Sequence, residues 1–229
     1  VETVEEKFKI TKLGWEIKGA RSVKNDLRIK DKFNLQQSAK DILITSQLRV
    51  AMITNKKIKA AIIRDKGSNS EREMAYAMHI SGFEVRDVHM TDLISGREKL
   101  EDISFLVAVG GFSNSDVLGS AKGWAGSFIY NEQANKTLKR FYNRKDTLSL
   151  GVCNGCQLFI ELGLLHPDHE QKPKMDYNES NKFECVFTSV KISKNNSVMF
   201  NNFGDSELGI WSAHGEGRFR LPRSESEYN

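Results

Sequence analysis

Residues 148–157 read Leu148-Ser149-Leu150-Gly151-Val152-Cys153-Asn154-Gly155-Cys156-Gln157. A short apolar run ends at a glycine and a cysteine, and a segment of helical character follows. This pattern is typical of a strand, a tight turn and a helix, with a reactive side chain at the turn. Glycine on either side of Cys153 permits backbone dihedral angles that other residues disfavour. We therefore predict that a strand delivers Cys153 to the start of a helix.

The predicted turn would give Cys153 two chemical advantages. A helix N-terminus carries partial positive charge, which favours the thiolate form of a cysteine. The N–H of Asn154, which follows directly, would be placed to stabilise an oxyanion. The alternative is a buried structural cysteine at a strand end, but the flanking glycines favour a nucleophile. Cys156 should point away from the turn and pack.

Segments on both sides of this stretch alternate between strand-like and helix-like patterns. Because strands that alternate with helices form parallel sheets with right-handed crossovers, we predict an α/β fold with a mainly parallel sheet and helices on both faces. Beyond residue 163 the pattern changes to short antiparallel strands. The predicted strands are 58–63, 83–88, 105–109, 147–152, 183–192 and 197–200, and the predicted helices are 70–80, capped by Ser70, and 125–142.

Three loops should meet where the parallel strands end, because ligands bind at the carboxyl ends of such sheets. They are residues 65–70, 110–116 and 153–156. The two glycines at 110 and 111 would expose backbone N–H groups, which suits the second half of an oxyanion hole. A tight turn without a ligand is the alternative. We interpret the 65–70 loop as a plain strand–helix connection, since one glycine is weak support for a phosphate site.

Composition limits the class of protein. Of the 229 residues, 39% are hydrophobic and 28% are charged, which is ordinary for a globular protein. No apolar stretch approaches about 18 residues, so we predict no membrane span. Three cysteines without disulfide-like spacing suggest a reducing, cytoplasmic compartment. No Cys or His residues are spaced like metal ligands, so we predict no metal site.

The net positive charge of the protein is concentrated in the first quarter of the chain. Residues 1–56 hold 12 Lys/Arg and 7 Asp/Glu, and the whole chain has a net charge of +4. This segment lacks interleaved aromatic residues and any nucleic-acid-binding motif, so we predict a solvated or interdomain face and no nucleic-acid partner. Its loose apolar periodicity favours a helical lead-in or linker before a main domain at 57–229.

The motif at residues 151–157 resembles the nucleophile motif of class I glutamine amidotransferases, which are flavodoxin-like α/β domains. Five further segments, taken in order, narrow the resemblance to the glutaminase domain of the phosphoribosylformylglycinamidine synthase family. Together the similar segments cover about residues 57–220. The resemblance implies that residues 1–56 connect to a preceding synthetase domain. The five segments are residues 64–74, 87–90, 110–113, 116–119 and 212–218.

The resemblance implies a reaction and its site residues. Cys153 would attack the side-chain amide of L-glutamine, ammonia would leave, and water would release glutamate from the thioester. Gly111 and Asn154 would hold the oxyanion, with Phe112 as a neighbour. Ammonia would pass to the synthetase region of the same parent chain, where ATP and Mg²⁺ drive conversion of formylglycinamide ribonucleotide to its amidine. No cofactor is expected in the glutaminase domain itself.

The general base is the open question of the sequence. His214-Gly215-Glu216 offers a histidine and a carboxylate. The family's triad His and Glu, however, lie in a later His-Pro-Glu-Arg-like segment, which this sequence does not contain, so we expect a domain truncated at its C-terminus. His214 and Glu216 would then line the site, and a role as the base pair is the alternative.

Two other functions stay open from the sequence. One is a different cysteine hydrolase on the same sheet, of the peptidase or deglycase type. It would need neither the Gly-Gly-Phe-Ser loop nor the His-Gly-Glu-Gly-Arg stretch. The other is a truncated domain that binds glutamine without turning it over.

Overall fold

The computed structural model describes residues 58–167, 169–195, 197–224 and 227. The predicted lead-in at 1–56 lies outside the described residues. The described residues belong to two compact units, 58–188 with 211–227, and 189–210. Among them, no helix is both long enough and apolar enough to cross a bilayer.

A four-stranded parallel sheet is the centre of the larger unit. Its strands stand in the order β2-β1-β3-β4, and each neighbouring pair is parallel. All four were predicted from the sequence to within one residue at each end. The strands are β1 (Lys59–Arg64), β2 (Glu84–His89), β3 (Phe105–Ala108) and β4 (Leu148–Gly151).

Both faces of the sheet are apolar and covered. Successive side chains of a strand point to opposite faces, and along β1 Ile62 and Ile63 belong to two separate buried clusters. One face packs against α1 (Glu71–Ile80) through Met78. The other, larger cluster contains residues of four helices: α2 (Met90–Ile94), α3 (Lys122–Ile129), α4 (Glu132–Asn143) and α5 (Asn154–Glu161). The predicted parallel α/β fold with helices on both faces is confirmed.

The predicted helix at 125–142 was wrong in one respect, because it is two helices. α3 ends at Ile129, and α4 begins after Asn131, whose side-chain oxygen accepts from the Ala134 N–H at 2.9 Å. Asn135 Nδ2 donates across the break to the Phe128 carbonyl at 3.2 Å. The apolar spacing continues across the break, so periodicity alone could not locate it.

The start of α1 also differs from expectation. Ser70 occupies the N-cap position, but with φ of 70° its side chain makes no capping bond and instead donates to Asn69 Oδ1 at 2.9 Å. The short helix α2 was not predicted. His89 begins it, because its Nδ1 accepts from the Thr91 N–H while the Asp92 carboxylate accepts from the His89 N–H.

In the described residues after α5 there are four strands, two of three residues and two of eight. β5 (Lys174–Asp176) pairs antiparallel with β8 (Arg218–Arg220), and β6 (Glu184–Lys191) pairs with β7 (Glu207–His214). The prediction of a strand at 183–192 is confirmed, and β7 was not predicted.

The predicted strand at 197–200 was wrong. Asn195 Oδ1 accepts from the Ser197 N–H at 3.0 Å, and Asn195 Nδ2 donates to the Phe200 carbonyl at 3.2 Å. These side-chain bonds bend the backbone into turns that continue into a 3₁₀ helix at Asn201–Phe203. Local side-chain bonds of this kind compete with strand pairing.

An ion-pair cluster joins the starts of β1 and β2 and supports a pH-dependent prediction. Lys59 and Arg86 both donate to the Asp102 carboxylate, and their hydrogen bonds lower its pKa from the usual 3.8 to about 2. This stabilisation is present above pH 4 and is lost as the pH falls through the folded-state pKa of Asp102.

We expect Asp102→Asn to lower the free energy of unfolding by ~1 kcal/mol or less at neutral pH, because the ion-pair cluster is largely exposed. Thermal midpoints of both proteins should converge toward pH 2, and a constant difference would contradict the assignment.

Candidate active site

Cys153 lies at the turn between β4 and α5, as the sequence predicted. Its backbone has φ of 53° and ψ of −114°, which is strained for any residue other than glycine. The residue is exposed and stands directly before the first helical residue, Asn154. The positive end of the helix therefore faces an accessible thiol.

Close backbone packing explains the two glycines that flank the turn. A Cβ on Gly155 would lie 2.1 Å from the Ala108 carbonyl oxygen, and a Cβ on Gly151 would lie 2.7 Å from the Gly155 carbonyl oxygen. Any larger residue at either position would push α5 away from β3 or β4. The glycines thus fix where the helix begins relative to the strand ends.

A second loop brings Gly111 beside the turn. A Cβ on the preceding Gly110 would lie 3.1 Å from Cys153 Cβ, which places the two loops in contact. Gly111 itself has φ of 106° and forms a short antiparallel bridge with Ser68 of the 65–70 loop. A Cβ on Gly111 would lie 2.6 Å from the Asn69 backbone nitrogen. The 65–70 loop is therefore the scaffold for Gly111.

The backbone donors near Cys153 differ in what they bind. The Phe112 N–H donates to the Gly67 carbonyl at 3.0 Å, while the Phe112 side chain is exposed. Within the described part of the chain, the N–H groups of Gly111 and Asn154 donate to no protein acceptor. These two N–H groups are therefore left for another acceptor.

Asn154 connects the turn to the second loop through its side chain. It is fully buried, and its Oδ1 accepts from the Ser113 N–H at 3.2 Å. Its Nδ2 donates to both oxygens of Asp116, at 3.2 and 3.3 Å, and to Gln157 Oε1 at 3.0 Å. Both ends of this amide are therefore satisfied inside the protein.

His214 and Glu216 have separate partners in the structure. His214 Nδ1 lies 2.9 Å from Asn178 Oδ1, and Nε2 lies 2.8 Å from Ser212 Oγ. The Glu216 carboxylate lies 3.4 Å from the Ser120 N–H, and the Glu216 carbonyl accepts from Gln157 Nε2 at 2.7 Å. Neither side chain hydrogen-bonds the other or Cys153 in the described residues. The contact between Glu216 and α5 is the hydrogen bond from Gln157 to the Glu216 backbone carbonyl.

Sequence inspection missed Asn178, which holds the 214–217 turn. It is buried, its backbone N–H donates to the Gly215 carbonyl at 2.9 Å, and its Nδ2 donates to the His214 carbonyl at 2.8 Å. A Cβ on Gly217 would lie 2.1 Å from the His214 ring. Asn178 and His214 are 36 positions apart, so no local pattern could have paired them.

The three cysteines differ enough to predict which one reacts. Burial, and to a lesser extent the neighbouring Cys153, raises the pKa of the Cys156 thiol, so Cys156 resists ionisation. We expect an electrophile that mimics glutamine to label Cys153 and to spare Cys156 and Cys185. Peptide mass mapping reads out the position of the label. Modification at Cys156 in place of Cys153 would contradict the assignment.

Comparison of the sequence with known protein families identifies the family of this chain. The sequence model of the CobB/CobQ-like glutamine amidotransferase domain matches residues 57–228. The chain belongs to this family. The predicted resemblance to glutamine amidotransferases is thereby confirmed, and the parallel sheet with its turn at Cys153 is the fold of such a domain.

Among proteins similar in sequence to this chain are phosphoribosylformylglycinamidine synthases. The chain is 48% identical over 163 residues to a probable phosphoribosylformylglycinamidine synthase of Caenorhabditis elegans, covering 70% of this chain and 12% of that protein. It is 46% identical over 174 residues to the phosphoribosylformylglycinamidine synthase of Dictyostelium discoideum, covering 74% and 13%. The chain therefore matches about an eighth of the length of these relatives.

A solved structure supports the same fold. The structure described as PurLQS from Thermotoga maritima is 29% identical to this chain, with a TM-score of 0.57. The match covers 72% of this chain and 69% of that one.

Proposed function

We propose that this amidotransferase domain is the glutaminase part of a phosphoribosylformylglycinamidine synthase. The observation that carries the proposal is the placement of Cys153 at a helix N-terminus, with N–H groups of Gly111 and Asn154 that bond to no acceptor among the residues the structure describes. The names of the relatives at 46–48% identity support the choice of this synthase within the family.

The proposed chemistry has two stages at Cys153. The thiolate attacks the side-chain amide carbon of L-glutamine, and the tetrahedral oxyanion receives the N–H groups of Gly111 and Asn154. The C–N bond then breaks as the nitrogen takes up the equivalent of the proton that the thiol gave up, so ammonia leaves and a glutamyl thioester remains. Water attacks the thioester, which releases glutamate and restores the thiol. Loss of one oxyanion donor typically costs about 10²- to 10³-fold in rate.

We assign His214 and Glu216 to lining and positioning the site. Both ring nitrogens of His214 are engaged with Asn178 and Ser212, which supports a structural role for that ring. The family resemblance puts the general base in a separate His-Pro-Glu-Arg-like segment. The Phe112 N–H is bonded to the Gly67 carbonyl, so we assign it no part in binding the oxyanion. The exposed Phe112 side chain would lie at the rim of the glutamine site.

The ammonia would serve a synthetase region of the same parent chain. There, ATP and Mg²⁺ would drive the conversion of formylglycinamide ribonucleotide to the amidine, as the resemblance to the synthase family implies. The described residues hold no group of three His, Cys, Asp or Glu placed to bind a metal, so no step here is assigned to one. Cysteines free of disulfides support a cytoplasmic location.

Substrate preference separates this proposal from a peptidase or deglycase. A glutaminase can pair the α-amino and α-carboxylate groups of free glutamine, and a substrate that lacks them leaves buried polar groups unsatisfied. We expect the full-length protein to release glutamate from L-glutamine at a kcat/KM at least about 10²-fold above that for a glutamine within a peptide. Similar cleavage of the peptide would favour the hydrolase, and absence of glutamate release would favour a binding domain.

A further inference from the structure

The two donors of the proposed oxyanion hole come from different segments of the chain. One is the Asn154 N–H at the start of α5, and the other is the Gly111 N–H in the loop after β3. An oxyanion hole works only when both donors are held at the right separation before the reaction. Something must therefore fix the loop against the helix.

We propose that the Asn154 side chain, held by Asp116, is the positioning device that fixes the two halves of the oxyanion hole. This inference rests on the proposed function. The Asn154 backbone supplies one donor, while its side chain binds the loop that supplies the other, through the Ser113 N–H at 3.2 Å. Ser113 lies two residues after Gly111, so this bond links the Gly111 donor, which the 65–70 loop supports, to the start of α5.

Asp116 orients the Asn154 amide and secures a strained part of the loop. Asn114, Ser115 and Asp116 have φ of 52°, 58° and 48°, a left-handed conformation that residues with a Cβ rarely adopt. Asp116 Oδ1 accepts from the Ala121 N–H at 3.0 Å as well as from Asn154 Nδ2 at 3.2 Å. The carboxylate thus ties the strained segment to the helix that follows and to the nucleophile turn.

Gln157 extends the same network to the 214–218 segment. It is buried, and its Nε2 donates to the Glu216 carbonyl, so its Oε1 is directed toward Asn154 Nδ2. The Asn154 amide is thereby oriented with Nδ2 toward Gln157 and Asp116 and with Oδ1 toward the Ser113 N–H. The 214–218 segment therefore contacts this network through the Glu216 backbone carbonyl.

Two reactions of Cys153 distinguish positioning from simple structural support. Formation of the glutamyl thioester develops an oxyanion, whereas alkylation by iodoacetamide displaces iodide and develops none. We expect Asn154→Asp in the full-length protein to slow thioester formation by about 10²- to 10³-fold. The new carboxylate could still accept from the Ser113 N–H, but repulsion from the Asp116 carboxylate and from Gln157 Oε1 would turn it away and loosen the loop. Alkylation of Cys153 should change by less than about threefold, and KM for glutamine should change far less than kcat.

The exchange of the two side chains provides the rescue. In Asn154→Asp/Asp116→Asn, the new amide can donate to the new carboxylate, and its oxygen can still accept from the Ala121 N–H. Gln157 Oε1 still faces the carboxylate, so the rescue is expected to be partial. We expect the double variant to recover thioester formation by at least about tenfold over Asn154→Asp, a coupling typical of residues in one network. Asn181→Asp makes the same chemical change at an exposed position and should leave both reactions unchanged.

Three results would overturn the inference. They are an equal loss of alkylation and thioester formation in Asn154→Asp, an unchanged rate of thioester formation, or a double variant no faster than the single one. Failure of the unsubstituted protein to form a thioester on Cys153 would instead overturn the proposed function.

Discussion

Replacement of Cys153 by alanine is expected to lower glutamine hydrolysis by at least about 10⁴-fold. The reason is that, in the proposed mechanism, the thiol forms the covalent bond to the glutamyl carbon, and no other described cysteine is exposed at the start of a helix. Cys185→Ala is the matched control, because that thiol is exposed and lies in β6. The measurement is glutamate release by the full-length protein.

The same variant allows a second readout. If Cys153 only releases ammonia, then added ammonium should sustain amidine formation by Cys153→Ala at a rate similar to that of the unsubstituted protein. Residual hydrolysis of glutamine within tenfold of normal would show that another group is the nucleophile, and loss of the ammonium-dependent reaction would show that the substitution damages more than the thiol.

Gly155→Ala should cause a large loss of stability for the addition of a single methyl group. The new Cβ would lie 2.1 Å from the Ala108 carbonyl oxygen and 2.9 Å from Ala108 Cβ, and a backbone atom cannot move aside as a flexible side chain can. Overpacking of this kind typically costs about 1–3 kcal/mol. The displaced helix would also carry Cys153 and the Asn154 N–H away from Gly111. We expect a lower midpoint of denaturant unfolding and a loss of glutaminase activity.

Gly126→Ala is the matched control for that change. Gly126 lies inside α3, and a Cβ there would meet nothing closer than the Tyr130 ring at 3.7 Å. Alanine is favoured over glycine in a helix interior by roughly 0.5–1 kcal/mol, so this variant should be as stable as the unsubstituted protein or more so. Equal stability of the two variants would contradict the packing described between α5 and β3.

Strong local patterns made the parallel sheet predictable. Strands β1 and β3 are short apolar runs buried on both faces, β4 is half-buried, and each is bounded by polar or glycine-containing loops. The turn at Cys153 was equally visible, since its glycines mark a close approach of backbone to backbone. Where a local side-chain bond overrides the pattern, prediction failed, as at Asn131 between α3 and α4 and at Asn195 before the mistaken strand.

The candidate site was only partly visible in the sequence. Cys153, Gly111 and Asn154 could be proposed because they stand at strand ends, which must meet at one edge of a parallel sheet. The side-chain partners of Asn154 could not, since Asp116 is 38 positions away and Ser113 is 41. His214 and Glu216 form an attractive pair in the sequence, yet their side chains bind Asn178 and Ser120 in the fold.

The most direct test of the account is to trap the covalent intermediate. The full-length protein is mixed with isotopically labelled L-glutamine, quenched in acid and digested, and the peptides are analysed by mass. We predict one labelled glutamyl group on the peptide that contains Cys153, bound as a thioester that hydroxylamine removes. Glutamate formation with no label on Cys153, or with the label on Cys156, would contradict the account.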